Sequence, residues 1–139
     1  NRSEAEIDGV ELTAQAPLGA RLDIAANATF SSINLDGVEP GLLNRPENYG
    51  GVTLGWRPAD AWRVEGALSY VGERGGSSIP TGPITLDSYV RADVAVSRAL
   101  NSDAKLFVAV DNVTDAEIEE AAGFESAGRR LRAGLSYEF

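Results

Sequence analysis

Apolar and polar residues alternate one by one through seven stretches of this chain, most clearly in the last. From Leu131 onward the odd positions are Leu131, Ala133, Leu135, Tyr137 and Phe139, while Arg130, Arg132, Gly134, Ser136 and Glu138 fill the even ones. A period of two residues predicts a β-strand with one apolar and one polar face. The same period predicts strands over about Glu6–Ala16, Arg21–Ser31, Tyr49–Arg57, Ala61–Val71, Tyr89–Ser97 and Ala104–Asn112. In the second, Leu22, Ile24, Ala26, Ala28 and Phe30 share one side; in the fifth, Val90, Ala92, Val94 and Val96 do.

The stretches between strands alternate in length. Pro17–Ala20, Pro58–Asp60 and Asn101–Asp103 are short turns, built on proline, glycine, asparagine and aspartate. Ser32–Glu47, Gly72–Asp87 and Val113–Ala127 are long. A strict short–long alternation puts every short turn at one end of an up-and-down antiparallel meander and every long loop at the other. Outer-membrane barrels share this asymmetry, with short periplasmic turns and long external loops. The second long loop is rich in Gly, Ser, Thr and Pro, which suits a mobile or turn-built lid.

Charge separates the two faces of the predicted sheet. The apolar sides are nearly charge-free, whereas Glu11, Asp23, Arg63, Glu65, Arg91, Asp93, Arg132 and Glu138 occupy the other. Lipid against one face and a hydrated or plugged lumen against the other accounts for this division, since Arg or Lys at mid-depth on the lipid side costs about 2–4 kcal/mol. Tyr89 and Asp111 fall on the same lumen-facing registers. Arg91 and Asp93, two residues apart on one face, can pair with each other or each across strands. Trp56, Trp62, Tyr70, Tyr137 and Phe139 lie on the apolar side, where an interfacial aromatic girdle falls.

Composition agrees. Fifteen of 139 residues are glycine, against roughly 7% in average usage, and large apolar residues are thinly spread. A packed sandwich needs a denser set; a sheet facing a wet interior does not. No histidine or cysteine is present, which excludes imidazole catalysis, disulfides and thiolate metal sites. The net charge of −9 disfavours nucleic acid, whose binding rests on phosphate neutralisation. No run reaches the roughly 20 apolar residues of a membrane helix, but a membrane strand needs only about 9–11. Seven strands are too few and odd for a bacterial single-chain barrel, so the chain is expected to be part of a larger one.

Several segments carry a family pattern. Ile7-Asp8-Gly9-Val10-Glu11-Leu12, Asn44-Arg45-Pro46, Tyr70-Val71-Gly72-Glu73-Arg74, Val110-Asp111-Asn112-Val113-Thr114-Asp115 and Gly128-Arg129 with the terminal strand resemble, in this order and spacing, the barrel of TonB-dependent outer-membrane receptors. Ala127-Gly128-Arg129 and the compact loops resemble the vitamin B12 (cobalamin) branch, though siderophore receptors share much of this. Val113 and Ile118 depart mildly, where leucine and an aromatic are common. The resemblance implies that residues 1–139 are the C-terminal portion of a 22-stranded all-β barrel whose plug and earlier strands lie outside the chain. It implies a bacterial outer-membrane active-transport receptor for cobalamin or a ferric siderophore, with no covalent chemistry, cofactor or resident metal. Implied partners are outer-membrane lipid and lipopolysaccharide, the remaining strands and plug, TonB through the plug region, the barrel-assembly machinery and a small-molecule nutrient. Phe139 resembles the assembly signal.

In such a receptor ligand contacts fall on the external loops, which makes Asn34, Asp36, Glu39, Asn44, Ser77, Ser78, Glu117, Glu119 and Glu125 the candidates. The acidic third loop lacks the ordered spacing and glycine of a calcium loop, and Glu119 with Glu120 forms no cleft of facing carboxylates. A passive porin or adhesion scaffold and a soluble β binding module are the rival readings. A plug and further alternating strands in the parent protein separate the first from the receptor; dependence on detergent separates the second. The predicted register has its own check. Leu135→Asp is expected to impair insertion into outer membranes far more than Ser136→Asp, and equal insertion of both variants, read by heat-modifiable mobility on gels, would refute it.

Overall fold

The computed structural model describes residues 5–35 and 42–138. Eleven strands form: β1 (Ala5–Pro17), β2 (Leu22–Leu35), β3 (Asn48–Trp56), β4 (Trp62–Val71), β5 (Arg74–Ser78), β6 (Gly82–Leu86), β7 (Tyr89–Ala99), β8 (Ala104–Asp111), β9 (Glu119–Ala121), β10 (Phe124–Glu125) and β11 (Arg130–Tyr137). Seven of them make one antiparallel sheet in the order β1-β2-β3-β4-β7-β8-β11. Each neighbours its predecessor in the meander, so the sheet is an open stretch of barrel wall with β1 and β11 at its edges. No helix among the described residues is long and apolar enough to cross a membrane.

Register decides what the sheet presents. Val10 faces Phe30, Ile24 faces Leu54, Val52 faces Leu68, Val64 faces Val96, Val94 faces Val110 and Leu135 faces Leu106. Directly opposed residues in antiparallel strands share a face, so the seven apolar sides merge into one band. That band is on the outside. Leu12, Phe30, Trp56, Leu68, Val90, Leu106, Leu131 and Leu135 are all exposed, and the buried apolar residues among those described are Leu86, Ala109 and Ile118 alone. A water-soluble domain buries its large apolar side chains first; here they form a contiguous surface far larger than a soluble monomer tolerates.

The short turns are closed by local hydrogen bonds. Gly19 adopts φ +91° as the Leu18 amide donates to the Leu22 carbonyl at 2.7 Å. The Trp62 amide donates to Ala59 at 3.0 Å behind Pro58. The Asn101 side-chain oxygen accepts from the amides of Asp103 and Ala104 at 3.0 and 2.7 Å, an Asx turn.

Most strand ends shift by one or two residues from the sequence reading, and three larger differences bear on the site. β2 runs on to Leu35, so Asn34 stands within a strand rather than a loop: the partner β1 is long enough to keep pairing it, with Glu6 opposite. β11 closes at Tyr137, with Glu138 beyond it, and Phe139 lies outside the described residues. The second long loop carries the β5–β6 hairpin, and the third carries the two short strands β9 and β10.

On the polar face, glycine opens room for charge pairing across a strand. Asp23 in β2 meets Arg63 in β4 at 3.8 Å, passing over Gly55 in β3, where a Cβ would collide with the Asp23 carboxylate and lie 2.9 Å from the Arg63 guanidinium. Gly134 likewise lies under the Phe107 ring, its cross-strand partner. Gly55→Ala is therefore expected to break the Asp23–Arg63 contact and destabilise the barrel by about 1–2 kcal/mol, with Asp23→Ala adding little on top. Additive losses in denaturant unfolding from detergent would show that the glycine and the ion pair are independent.

Candidate functional site

All three long connections emerge at the same end of the sheet, and they are joined to one another. Arg74, at the start of β5, is buried. Its guanidinium donates to the Asp87 carbonyl at 3.4 Å and, across to the third connection, to the Glu119 carbonyl, while stacking 5.6 Å from the Tyr89 ring centroid. Next to it, Leu86 is 1% exposed and Ile118 4%. Gly76 admits Leu86 closely: a Cβ there would sit 3.1 Å from the leucine. The first connection joins through the Asn44 amide, which donates to the Gly75 carbonyl at 2.7 Å. The second and third connections thus each bury one large apolar side chain, and Arg74 links the two.

The third connection leaves β8 through a tightly bonded turn. Asn112 is nearly fully buried with φ +50°. Its side-chain amide donates to the Ala116 carbonyl and its side-chain oxygen accepts from the Ala116 amide, both at 2.9 Å. Its own amide donates to the Asp93 carboxylate at 2.8 Å. Asp115, also at positive φ, accepts from the Arg129 amide at 2.7 Å, which returns the chain to β11. Gly128 is needed there because a Cβ would meet the Asp115 carboxylate at 2.7 Å.

Between these two connections lies a polar pocket of about 380 Å³ lined by Thr85, Asp87, Asp115, Glu117, Glu119 and Glu125, among others. Three of the expected ligand contacts, Glu117, Glu119 and Glu125, therefore meet in one place. The Glu119 carboxylate is partly engaged, accepting from the Gly123 amide at 2.6 Å. Asn34 and Asn44 stand apart, on the end of β2 and the first connection, and Ser77 and Ser78 close β5 opposite Pro83 and Gly82. Asp36 and Glu39 lie outside the described residues. The pocket offers acceptors and suits a ligand that brings hydrogen-bond donors. A second polar pocket of about 480 Å³, with Arg45, Glu47, Tyr70 and Arg74 in its lining, lies between the first and second connections.

Below the loops the polar face carries two charge networks. In the upper, Arg132 grips Asp111 with two hydrogen bonds of 2.7 Å, Arg130 adds a third at 3.2 Å, and Arg91 donates to Asp93 at 2.9 Å. In the lower, Asp23 takes Arg57 and Arg63, each at 3.8 Å, and Arg63 meets Glu65 at 3.1 Å. The expected residues Glu11, Asp23, Arg63, Glu65, Arg91, Asp93 and Arg132 share this face by register, and Arg91 and Asp93 resolve into a pair along one strand. Trp56, Trp62, Tyr70 and Tyr137 share the opposite, apolar face, the first two and Tyr137 at the short-turn end and Tyr70 at the loop end. The sequence reading missed Arg74, Asp87, Asn112 and Asp115 as site-forming residues. Arg74, Asn112 and Asp115 did carry a signal, since each lies in a family-like segment, but their bonded partners are invisible without the folded loops.

Residues 1–113 match the family described as TonB dependent receptor-like, beta-barrel. The chain belongs to the TonB-dependent receptor family. Members of this family are outer-membrane transport receptors, not enzymes. The iron-regulated outer membrane virulence protein of Vibrio cholerae serotype O1 is 30% identical over 148 residues, covering all of this chain and 22% of that protein. The vitamin B12 transporter BtuB of the same species is 34% identical over 81 residues, covering 56% of this chain and 13% of the transporter. The chain thus spans about a fifth or less of the length of these relatives. Among solved structures, the closed form of the ferric-catecholate import receptor Fiu of E. coli K12 superposes with a TM-score of 0.83 at 15% identity, over 97% of this chain and 21% of Fiu. The ferripyoverdine receptor of Pseudomonas aeruginosa bound to ferripyoverdine gives 0.79 at 17%, over 97% and 20%. These likenesses establish the receptor-barrel fold.

Within a receptor of this family, Arg74→Ala is expected to release the second and third loops from each other. Amide exchange should rise by about tenfold across both residues 82–87 and 116–121, since buried carbonyls lose a charged donor. Arg74→Lys should restore only part of it, because an ammonium does not reproduce the planar fork that reaches two carbonyls. A rise confined to the β5–β6 hairpin would show that Arg74 does not join the loops.

Proposed function

We propose that this chain forms seven staves in the wall of an outer-membrane active-transport receptor, with its apolar face against lipid and its polar face toward the lumen. The observation that carries the reading is the continuous exposed apolar band on a sheet whose every long connection leaves from one end. In that setting the short turns are periplasmic and the long loops external. The two charge networks line the lumen, where a plug domain packs in the complete receptor, and energy enters through TonB. Trp56, Trp62 and Tyr137 form the periplasmic girdle and Tyr70 marks the external one. Phe139 serves as the assembly signal.

The nutrient is an iron chelate rather than cobalamin in this reading. Similarity to the iron-regulated protein extends over the whole chain, and similarity to the vitamin B12 transporter over little more than half. The pocket at Glu117, Glu119 and Glu125, together with Asn34, Asp36, Glu39, Asn44, Ser77 and Ser78, contributes to capture at the external surface.

The test is uptake by the whole receptor, expressed in cells lacking their own siderophore and cobalamin receptors. Radiolabelled ferric siderophore should accumulate, cobalamin should not, and deletion of TonB should abolish accumulation. Glu117→Gln combined with Glu125→Gln should raise the half-saturating concentration on the order of tenfold. Uptake indifferent to TonB would point to a passive barrel and overturn the proposal; uptake of cobalamin alone would overturn the choice of nutrient.

A further inference from the structure

The membrane-facing side contains one feature at odds with its surroundings. Within the seven strands, Arg98 is the one cation that shares the register of the apolar band, directly opposite Trp62 in β4 and Leu106 in β8. Its guanidinium lies 5.3 Å from the Trp62 ring centroid, and none of the described ion pairs includes it. An exposed arginine on such a face is stable only near the headgroup level, where its stem lies along apolar surface and its head reaches polar groups. Trp62 opens β4 and Arg98 is the penultimate residue of β7, which places both at the short-turn end.

A second observation lies two rows away on the same face, in a furrow that neither Trp62 nor Arg98 lines. Gly66 leaves a gap between its cross-strand neighbours Leu54 and Val94, with nothing within 4 Å of where its Cβ would be. From that gap a furrow of about 620 Å³ descends past Val64 and Trp56 toward Leu22 and Leu18. Val64 and Val96 form the next row below Gly66, and Trp62 with Arg98 the row below that, successive rows on one face being about 7 Å apart. Arg21, which also borders the furrow, is already engaged, donating to the Pro58 carbonyl at 2.6 Å and lying 3.7 Å from Asp60. Glu65, also at its border, is paired with Arg63. A second furrow of about 620 Å³, around Ala28 and Gly50, has no cation in its lining.

We propose that Arg98 and Trp62, with the furrow at Gly66, form a binding site for one phospholipid of the periplasmic leaflet. The phosphodiester accepts from the Arg98 guanidinium, whose planar fork matches two phosphate oxygens. The Trp62 ring holds the guanidinium in place by cation–π attraction, and an acyl chain fills the hollow left by Gly66. The site rests on the membrane orientation proposed above.

The experiment uses the whole receptor in detergent, titrated with dioleoylphosphatidylglycerol and followed by native mass spectrometry. One retained lipid is expected at low lipid ratio. Arg98→Gln should weaken retention about fivefold, the increment of one interfacial cation, with Arg98→Lys intermediate and Gly66→Leu also weakened. Dioleoylglycerol, which has the same chains and no phosphate, should not be retained. Equal retention by Arg98→Gln and the parent, equal retention of dioleoylglycerol, or lipid bound only in bulk at high ratio would each overturn the site. Displacement of the phospholipid by lipid A would overturn its placement in the periplasmic leaflet. Both arms read lipid and leave transport aside, so a wrong nutrient assignment does not disturb them.

Discussion

Backbone pairing under a one-sided apolar surface is the constraint on which the rest of this structure depends. In hydrocarbon every N–H and C=O must find a partner within the protein, which allows only helices or sheets with paired strands. This chain answers with an unbroken meander in which each of seven strands keeps the same parity toward its neighbour. Because side chains alternate strictly, a slip of one residue in any strand would turn its apolar set toward the polar face and its charges toward the apolar one. The parity is therefore enforced at every pair, from Val10 against Phe30 to Leu135 against Leu106.

The polar face is organised by the same geometry but for a different end. Most of its charges are partly solvated, with Asp111, buried beside Arg130 and Arg132, an exception, and exposed pairs contribute little to stability. They instead keep a surface of mixed sign neutral within short reach, as where Asp111 takes two arginines and Asp93 takes Arg91 and the Asn112 amide. Glycine makes some of these contacts possible. Gly55 lets charges from β2 and β4 meet over β3, so an apparent weakness in a strand is the opening through which its neighbours interact.

The fold was largely legible because membrane strands report themselves through a period of two and through the lengths of their connections. All seven sheet strands and the face of most charged residues follow from those two regularities, Arg98 lying beyond the predicted end of its strand. The external loops were not legible in the same way. Gly72–Asp87 has the composition of an irregular loop, yet it pairs into the β5–β6 hairpin and buries Leu86, while Ile118 is buried in the next connection, an outcome that local propensity does not announce. Arg74 stood in a recognisable segment, but nothing near it in sequence names Glu119, 45 residues away, as its partner. The acidic residues of the third loop were visible as a group; that four of them share a pocket with Asp87 was not.

The amino-acid sequence by itself determined the seven strands of the main sheet, their up-and-down order, the apolar and polar faces and the family, because each depends on local periodicity or on residues close in the chain. Tertiary structure alone decided which charges pair, how the loops are pinned together, where glycine admits a neighbour and where Arg98 stands relative to Trp62. Those outcomes depend on which rows of side chains are brought level across strands, a quantity set by register over tens of residues rather than by any residue's immediate surroundings.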